Sequence, residues 1–393
     1  MIVLKIIIID IIIKLNFMTK INKIVYKHKI GMKAAVLNKY GDPLVIEDVE
    51  LGKPKDGEVR LRVKAAGVCH SDLLAIDGST PIPPPFVPGH EAVAEVLEVG
   101  PGVDNLQPGD VVVTSFIWPC GRCRNCVRGL ENLCERFSEV RLRGVLLDGT
   151  TRLRRKNGEY LRVFLGGLWA EEAVVPATAV AKLPRGLDNR PELAMLGCAF
   201  LTAYGAVVNS ASVKPSETVA VIGTGGVGLA VVQVAKALGA RVIAVGRNPE
   251  KLKLAREMGA ETVNIREGDA VAEVRKLTDG RGADVVIEAV GSESTIDMAV
   301  EMVAIGGRVV IVGLMPVGSK APIHVARVVR GGISVIGSYG ARPRIDLPRV
   351  IDLVARGLLK PELLARDYYK LEEVNDAVEA LRSGRSIRPI ILP

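Results

Sequence analysis

Four of the six cysteines, Cys120, Cys123, Cys126 and Cys134, fall in one short stretch as C-x2-C-x2-C-x7-C. Thiolates at this spacing can close a tetrahedron around a soft divalent ion. Because they fill every coordination position, a zinc held there would be structural. Two disulfides or an iron–sulfur cluster are the other uses of such a set. Nothing in the sequence indicates an oxidising compartment, and spacing this tight strains disulfide geometry. The remaining cysteines stand apart. Cys69 lies in Gly67-Val68-Cys69-His70-Ser71-Asp72, and Cys198 lies far downstream; a histidine, His90, follows Gly89. A lone histidine after glycine commonly serves a turn or a core. Two thiolates and an imidazole are nonetheless three ligands, and three ligands with one open position are what a catalytic zinc requires. Sequence separation alone does not place them in contact.

A second chemistry-bearing segment is Gly223-Thr224-Gly225-Gly226-Val227-Gly228, which follows the apolar run Val219–Ile222 and opens a helical pattern. Glycines in this context permit a tight turn and the approach of backbone N–H groups to a pyrophosphate, which then meets the helix N-terminus. The next strand ends Val245-Gly246-Arg247-Asn248. An acidic residue there would accept from the ribose hydroxyls. Gly246 instead leaves space, and Arg247, with Lys251 one turn on, offers positive charge to a 2′-phosphate, so NADP is expected over NAD.

These groups need elements to position them. From Met32 to about residue 115 short alternating Val/Ile/Leu runs are broken by Gly, Pro and Asp, a β-rich pattern. A basic segment from Arg141 to Lys156 reads as a solvated hairpin or subunit contact. After residue 200 strands and helices alternate: strands at 219–222, 241–245, 285–288, 309–312 and 335–336, and helices at 229–238 and 250–258. This predicts an α/β fold with an open, doubly wound parallel sheet. The last fifty residues return to the first style, with a helix near 350–356 and a strand at 387–392. The expected division is a β-rich unit of residues 32–198 and 340–393 around a dinucleotide-binding unit of residues 199–339. Residues 1–31 differ in composition, rich in Ile, Lys and Asn, and read as a leader that is disordered or lies upstream of a natural start at Met32. Asp10 interrupts their apolar run, which supplies neither a signal peptide nor a membrane span. Their six lysines and one aspartate contribute +5 of the net charge of +8, leaving +3 for the rest. With only 4% aromatic residues, this nearly balanced body is not that of a nucleic-acid binder. Glutamine occurs only at Gln107 and Gln233, a depletion that fits a heat-adapted source.

With these motifs in view, Met32 to Pro393 resembles the zinc-containing medium-chain alcohol dehydrogenases. The likeness is carried by Gly67–Asp72, Gly89-His90-Glu91, the four-cysteine lobe, Gly197-Cys198 through Thr202, the glycine loop and Ser386-Ile387-Arg388. Gly149-Thr150-Thr151-Arg152 is similar to the branch holding the formaldehyde-oxidising enzymes. The resemblance implies a Rossmann coenzyme domain with a GroES-like catalytic domain and two zincs per chain. Cys69, His90 and Cys198 would hold the catalytic ion, with Glu91 counted at that metal and Asp72 orienting the imidazole. It implies Ser71 at the substrate oxygen, Thr202 against the nicotinamide, His70 and Arg388 at the pyrophosphate, and Phe116 in the substrate pocket. It also implies a cytoplasmic homo-oligomer, dimer or tetramer, acting on a small alcohol, aldehyde or ketone, the apolar residues favouring a hydrophobic one. Leu74 departs from the family's proton-relay histidine. The competing readings are a zinc-free quinone or enoyl reductase on the same fold and a non-catalytic zinc and nucleotide-binding module.

Overall fold

Buried β-branched runs separated by Ala- and Val-rich helices assemble into an open six-stranded parallel sheet in the computed structural model, which describes residues 31–316 and 318–393. The spatial order is Glu261–Asn264, Arg241–Gly246, Thr218–Ile222, Ala283–Glu288, Val303–Ile311, Ser334–Gly337. Every neighbouring pair is parallel. The chain enters at Thr218–Ile222, winds outward to one edge, then returns to build the other half. The reversal leaves a crevice at the carboxyl ends of the central strands, where sheets of this kind take their ligands. Thr218–Ile222 is buried throughout, as a strand covered on both faces must be. The expected leader lies, apart from Gly31, outside the described residues.

Two elements differ from the sequence reading for identifiable reasons. Glu261–Asn264 forms an edge strand that its polar ends concealed, one of them held by Arg241 at 2.7 Å. The helix expected near 350–356 spans Pro343–Ala355. Pro348 inside it reads as a break, yet Arg342 and Asp346 tie its first turn together through hydrogen bonds of 2.9 and 3.0 Å.

The second body is a largely antiparallel seven-stranded sheet in the order Val180–Lys182, Val111–Thr114, Ala92–Val99, Glu58–Gly67, Ile390–Leu392, Tyr368–Lys370, with Glu172–Pro176 also paired to Glu58–Gly67. The long strand Glu58–Gly67 is its axis. Gly67 and Ala66 pair with Ile390 and Ile391, so the C-terminal strand returns beside the segment leading into Cys69. A three-stranded sheet of Met32–Val36, Val45–Leu51 and Leu153–Arg155 lies outside it. Among the described residues no single helix is long and apolar enough to cross a membrane. A bent pair, Pro191–Gly197 with Ala199–Ser210, has the necessary length and composition, but its apolar side chains belong to the core.

The basic segment leaves Arg143, Arg154 and Lys156 exposed, as expected of a solvated hairpin, whereas Arg152 and Arg155 are drawn in against carboxylates. Arg154 pairs with Glu50, Arg155 with Glu47 and Glu159, and Lys156 with Asp48. Arg152 is buried and forks onto Glu58 at 2.5 and 2.8 Å, with Asp148 on a third side. A buried guanidinium is tolerated only with its charge matched. Glu58→Gln should therefore lower stability by about 2 kcal/mol or more, the remaining Asp148 contact softening the usual cost of an orphaned buried charge. Denaturant unfolding of the two proteins measures this, and a change below about 0.5 kcal/mol would show the pair to be dispensable.

Candidate active site and metal centres

The strand Glu58–Gly67 delivers Cys69 to the N-cap of the short helix His70–Ile76, with Asp72 in its first turn. Asp72 is fully buried. Its carboxylate accepts from the Cys69 N–H at 2.9 Å and the Gly89 N–H at 3.2 Å, and it lies 3.0 Å from His90 Nδ1. That contact assigns the proton to Nδ1 and leaves the Nε2 lone pair free. Nε2 is buried and has no hydrogen-bond partner. Cys198 arrives from the other direction, at the end of the turn Pro191–Gly197. A Cβ on Gly197 would lie 1.6 Å from the Thr114 carbonyl oxygen, so only glycine lets that segment approach. The result is a Cys69–Cys198 Sγ separation of 3.9 Å, and the donor atoms of Cys69, His90 and Cys198 all lie within 4.8 Å of one another. Two soft donors and an orphaned imidazole nitrogen in a buried cluster fit a zinc ion. The hydrogen bond with Cys198 and the charge of Arg388 hold the Cys69 thiol well below its usual range, and the same contact raises Cys198.

Glu91 stands outside this cluster. Neither carboxylate oxygen has a hydrogen bond, and Arg388 Nη1 approaches at 3.4 Å without aligning an N–H. Burial pushes the Glu91 carboxyl up to about 7 against the pull of Arg388. The structure thus places Glu91 beside the three donors rather than among them.

In the cysteine lobe all four thiols are unbonded and their sulfurs converge on one point. Backbone N–H groups point at them, from Cys120 and Phe137 to Cys134 and from Cys126 to Cys123. Burial resists ionisation of Cys123, but the backbone N–H groups of Cys126 and Glu135 overcome it and bring the thiol down to about 6. Burial raises the thiols of Cys126 and Cys134, so it is the convergence of four sulfurs that suits a closed thiolate site.

The glycine turn sits at the carboxyl end of Thr218–Ile222 and opens the helix Gly226–Ala237. Gly223 has φ +105°, and a Cβ on Gly228 would lie 1.8 Å from the Gly223 carbonyl oxygen, whereas Gly225 faces open space. This is a cradle that a side chain would fill, suited to a pyrophosphate. Arg388 lies against it, its Nε 3.2 Å from where a Gly226 Cβ would stand. The space anticipated at Gly246 is narrower than expected. Thr224 fills it, and a Cβ at Gly246 would meet Thr224 Oγ1 at 2.7 Å. Arg247 is exposed; burial first, and then the nearby Arg247 charge, lower the Lys251 amine.

One cavity of about 200 Å³ joins these parts. Cys69, His90 and Cys198 line it together with His70, Ser71 and Thr202, and Val227 of the glycine loop borders it as well. Phe116 forms a wall, edge-on to His90 at 6.2 Å and to Tyr339 at 5.7 Å. Leu74 also faces the cavity. Arg247 and Lys251 do not. Sequence reasoning missed Tyr339, which had no local signal, and Arg141, which was grouped with the basic hairpin but lines the cavity instead. It also missed Glu288, buried at the end of its strand, which accepts from the N–H groups of Val290 and Gly291; Val290, not Glu288, borders the cavity.

The two donor clusters predict two zincs per chain in metal-replete protein. Cys134→Ser should reduce this to one, read by elemental analysis of protein passed over a chelating resin; retention of both ions would show that the lobe does not need its fourth thiol. Comparison with known proteins agrees with this geometry. Residues 55–185 match the family model of the alcohol dehydrogenase GroES-like domain, and residues 226–356 match that of the zinc-binding dehydrogenases. The chain is 36% identical over 371 residues to an NDMA-dependent alcohol dehydrogenase of Amycolatopsis methanolica, covering 92% of this chain and 98% of that one. It is 35% identical over 367 residues to S-(hydroxymethyl)glutathione dehydrogenase of Escherichia coli, covering 91% and 99%. Among solved structures, an alcohol dehydrogenase zinc-binding domain protein from Burkholderia ambifaria superposes with a TM-score of 0.88 at 34% identity, covering 92% of this chain and 99% of that one. With a β-rich GroES-like body, a doubly wound Rossmann sheet and donor clusters suited to zinc, the chain belongs to the zinc-containing medium-chain alcohol dehydrogenases.

Proposed function

We infer that this protein oxidises a small alcohol, or reduces the corresponding aldehyde or ketone, with NADP(H) as hydride carrier and one catalytic and one structural zinc per chain. The observation that carries this reading is that Cys69, His90 and Cys198 share a cavity with Val227 of the glycine loop. A donor cluster and a dinucleotide cradle on one cavity distinguish the reading from a zinc-free reductase, which needs no such donors, and from a module that merely binds both. The division into a catalytic unit of residues 32–198 and 340–393 and a coenzyme unit of residues 199–339 goes with it. So does a homo-oligomer, supported by the edge strand Ser334–Gly337 and the exposed Ile305, Val325 and Val329 nearby.

Zinc bound by Cys69, His90 and Cys198 supplies Lewis acidity at the substrate oxygen, and the nicotinamide carries the hydride. The chain's own residues do the rest. Ser71 lines the cavity with its Oγ 3.8 Å from Cys69 Sγ, placed to exchange the proton of the substrate oxygen. Asp72 fixes the His90 tautomer and ring orientation. Thr202, whose N–H donates to the Cys198 carbonyl at 2.8 Å, lines the same cavity and would pack against a bound nicotinamide. Phe116, Phe164 and Leu165 keep the cavity dry and favour an apolar substrate body. Arg388 and His70 serve the pyrophosphate. Arg247 and Lys251, beyond a strand that ends without an acidic residue, supply the charge that a 2′-phosphate calls for.

Nicotinamide absorbance in zinc-loaded protein, with a panel of alcohols and both cofactors, tests the reading. Turnover should be lost in Cys69→Ser while circular dichroism shows the fold retained. An enzyme that reduces neither cofactor with any alcohol overturns the activity. NADP should be preferred in kcat/KM by roughly 10–100-fold, and Arg247→Ser should collapse that ratio. A wild-type preference for NAD overturns the cofactor assignment.

Leu74 cannot carry the proton that Ser71 receives onward to solvent, so water or the cofactor ribose must do so. Leu74→His should raise the alcohol oxidation rate near neutral pH several-fold, within the range of one added acid–base group. An unchanged rate across the pH profile would show that proton release does not limit turnover.

A further inference from the structure

Residues 338–344 carry the chain out of the parallel sheet, whose edge strand ends at Gly337, into the helix Pro343–Ala355. Ser338, Tyr339 and Gly340 line the catalytic cavity on the way. This crossover is held from two sides. On one side is the helical stretch that follows Cys198. Ser210 Oγ lies 2.9 Å from Ser338 Oγ, Arg342 donates to the Asn209 side-chain oxygen at 3.0 Å, and a Cβ on Gly205 would strike the Gly340 carbonyl.

On the other side is the four-cysteine lobe. Glu131 and Asn132 lie in the turn Glu131–Leu133, between the third and fourth cysteines, so the donors on both sides fix their register. Glu131 is buried, and its carboxylate accepts from Arg344 Nε at 2.8 Å and from the Arg344 backbone N–H at 3.3 Å. The guanidinium reaches over Gly121, its Nη1 3.6 Å from where a Cβ there would stand. Asn132 Nδ2 donates to the Tyr339 carbonyl at 2.9 Å. Gly340 completes the contact: it has φ +53°, and a Cβ on it would strike Ile117 and Phe116 just ahead of the lobe. A buried carboxylate gives up its cation only at substantial cost, so this pair ties the crossover to the lobe although Arg344 is itself half exposed.

We propose that Glu131 and Asn132 are positioning residues for the substrate pocket: the cysteine lobe clamps the crossover and thereby fixes where Tyr339 stands in the cavity wall. This rests on the dehydrogenase reading above and concerns that same cavity. Neither residue lines the cavity, so both act through Tyr339. The rings run from His90 to Phe116 to Tyr339 at centroid separations of 6.2 and 5.7 Å, which puts Tyr339 one ring further from the metal donors than Phe116. A short alcohol held at the donors ends at Phe116, whereas one bearing a ring or a longer chain extends to Tyr339. The clamp therefore governs the preference for extended over short alcohols and leaves the hydride step alone. A pocket wall keeps its shape only when the residues behind it are themselves fixed, and here the cysteine lobe fixes them.

The test uses zinc-loaded wild type, Glu131→Gln, Asn132→Leu and Arg344→Gln with benzyl alcohol and the linear alcohols from ethanol to hexanol. In each variant KM should rise with substrate length, from within about twofold for ethanol to roughly 3–30-fold for hexanol and benzyl alcohol, the range for substitutions that touch no ligand. The kcat values should stay within about twofold, since the hydride step is not involved. Arg344→Lys should recover part of the Arg344→Gln loss, because lysine keeps the charge but not the fork. Hydrogen exchange read by mass spectrometry should be faster over residues 338–344 in every variant, with two zincs per chain retained. If Glu131 and Asn132 served only to hold the lobe together, zinc content would fall or all alcohols would weaken in proportion, and either result overturns the proposal. Arg344→Gln leaves the lobe itself intact, so it decides the matter should Glu131→Gln fail to fold. Absence of any alcohol oxidation by wild type would refute the dehydrogenase assignment, whereas unchanged exchange over residues 338–344 in Arg344→Gln would refute the clamp alone.

Discussion

The active-site geometry depends on one buried carboxylate. Asp72 binds the N–H of Cys69, the N–H of Gly89 and Nδ1 of His90, so it joins the two loops that carry a thiol and an imidazole and orients the ring. A fully buried acid is costly unless its lone pairs are occupied, and here three donors from two separate segments occupy them. The arrangement is over-determined: moving either loop strands the carboxylate. Cys198, the third donor, is positioned by close approach rather than by hydrogen bonding, because Gly197 lies where any side chain would strike the Thr114 carbonyl.

The two sheets are arranged to serve that point. Strand Glu58–Gly67 runs into Cys69, its antiparallel neighbour Ala92–Val99 begins just after His90 and Glu91, and the C-terminal strand Ile390–Leu392 lies against the end of Glu58–Gly67. The parallel sheet contributes the glycine turn from the strand where its winding reverses. Cys69, His90 and the glycine turn therefore sit beside strand ends, where backbone direction is set by a ladder, while Cys198 and Thr202 come from the helical segment 191–204.

Local chemistry was legible in the sequence, and convergence was not. The glycine turn could be read because its requirement is a backbone one, expressed in consecutive residues. The four-cysteine lobe could be read because its donors are near neighbours. Cys69 and Cys198 are 129 positions apart, so only the folded chain shows their sulfurs at 3.9 Å. Arg141 was hidden by company. Read as one of a run of cations, it gave no sign that register would hand carboxylates to Arg154 and Arg155 while leaving it facing Tyr339, 198 positions away. The room inferred at Gly246 failed for a related reason: the neighbour that fills it, Thr224, comes from the preceding strand's turn, and a linear reading cannot see across a parallel pair.

Arg388 shows why the three-donor cluster and the glycine-loop cradle form one electrostatic unit. It is almost wholly buried, 3.4 Å from Glu91, and against the turn at Gly226, with its Nε lacking an acceptor. Glu91 in turn has no hydrogen bond to either oxygen, so cation and acid compensate each other only partly. A buried pair with this geometry is poor as a stabilising device. It makes sense as an arrangement completed by ligands, because a pyrophosphate at the glycine turn would occupy the free guanidinium edge, while positive charge at the neighbouring donors would relieve Glu91. The protein thereby spends folding stability on a site that its ligands complete.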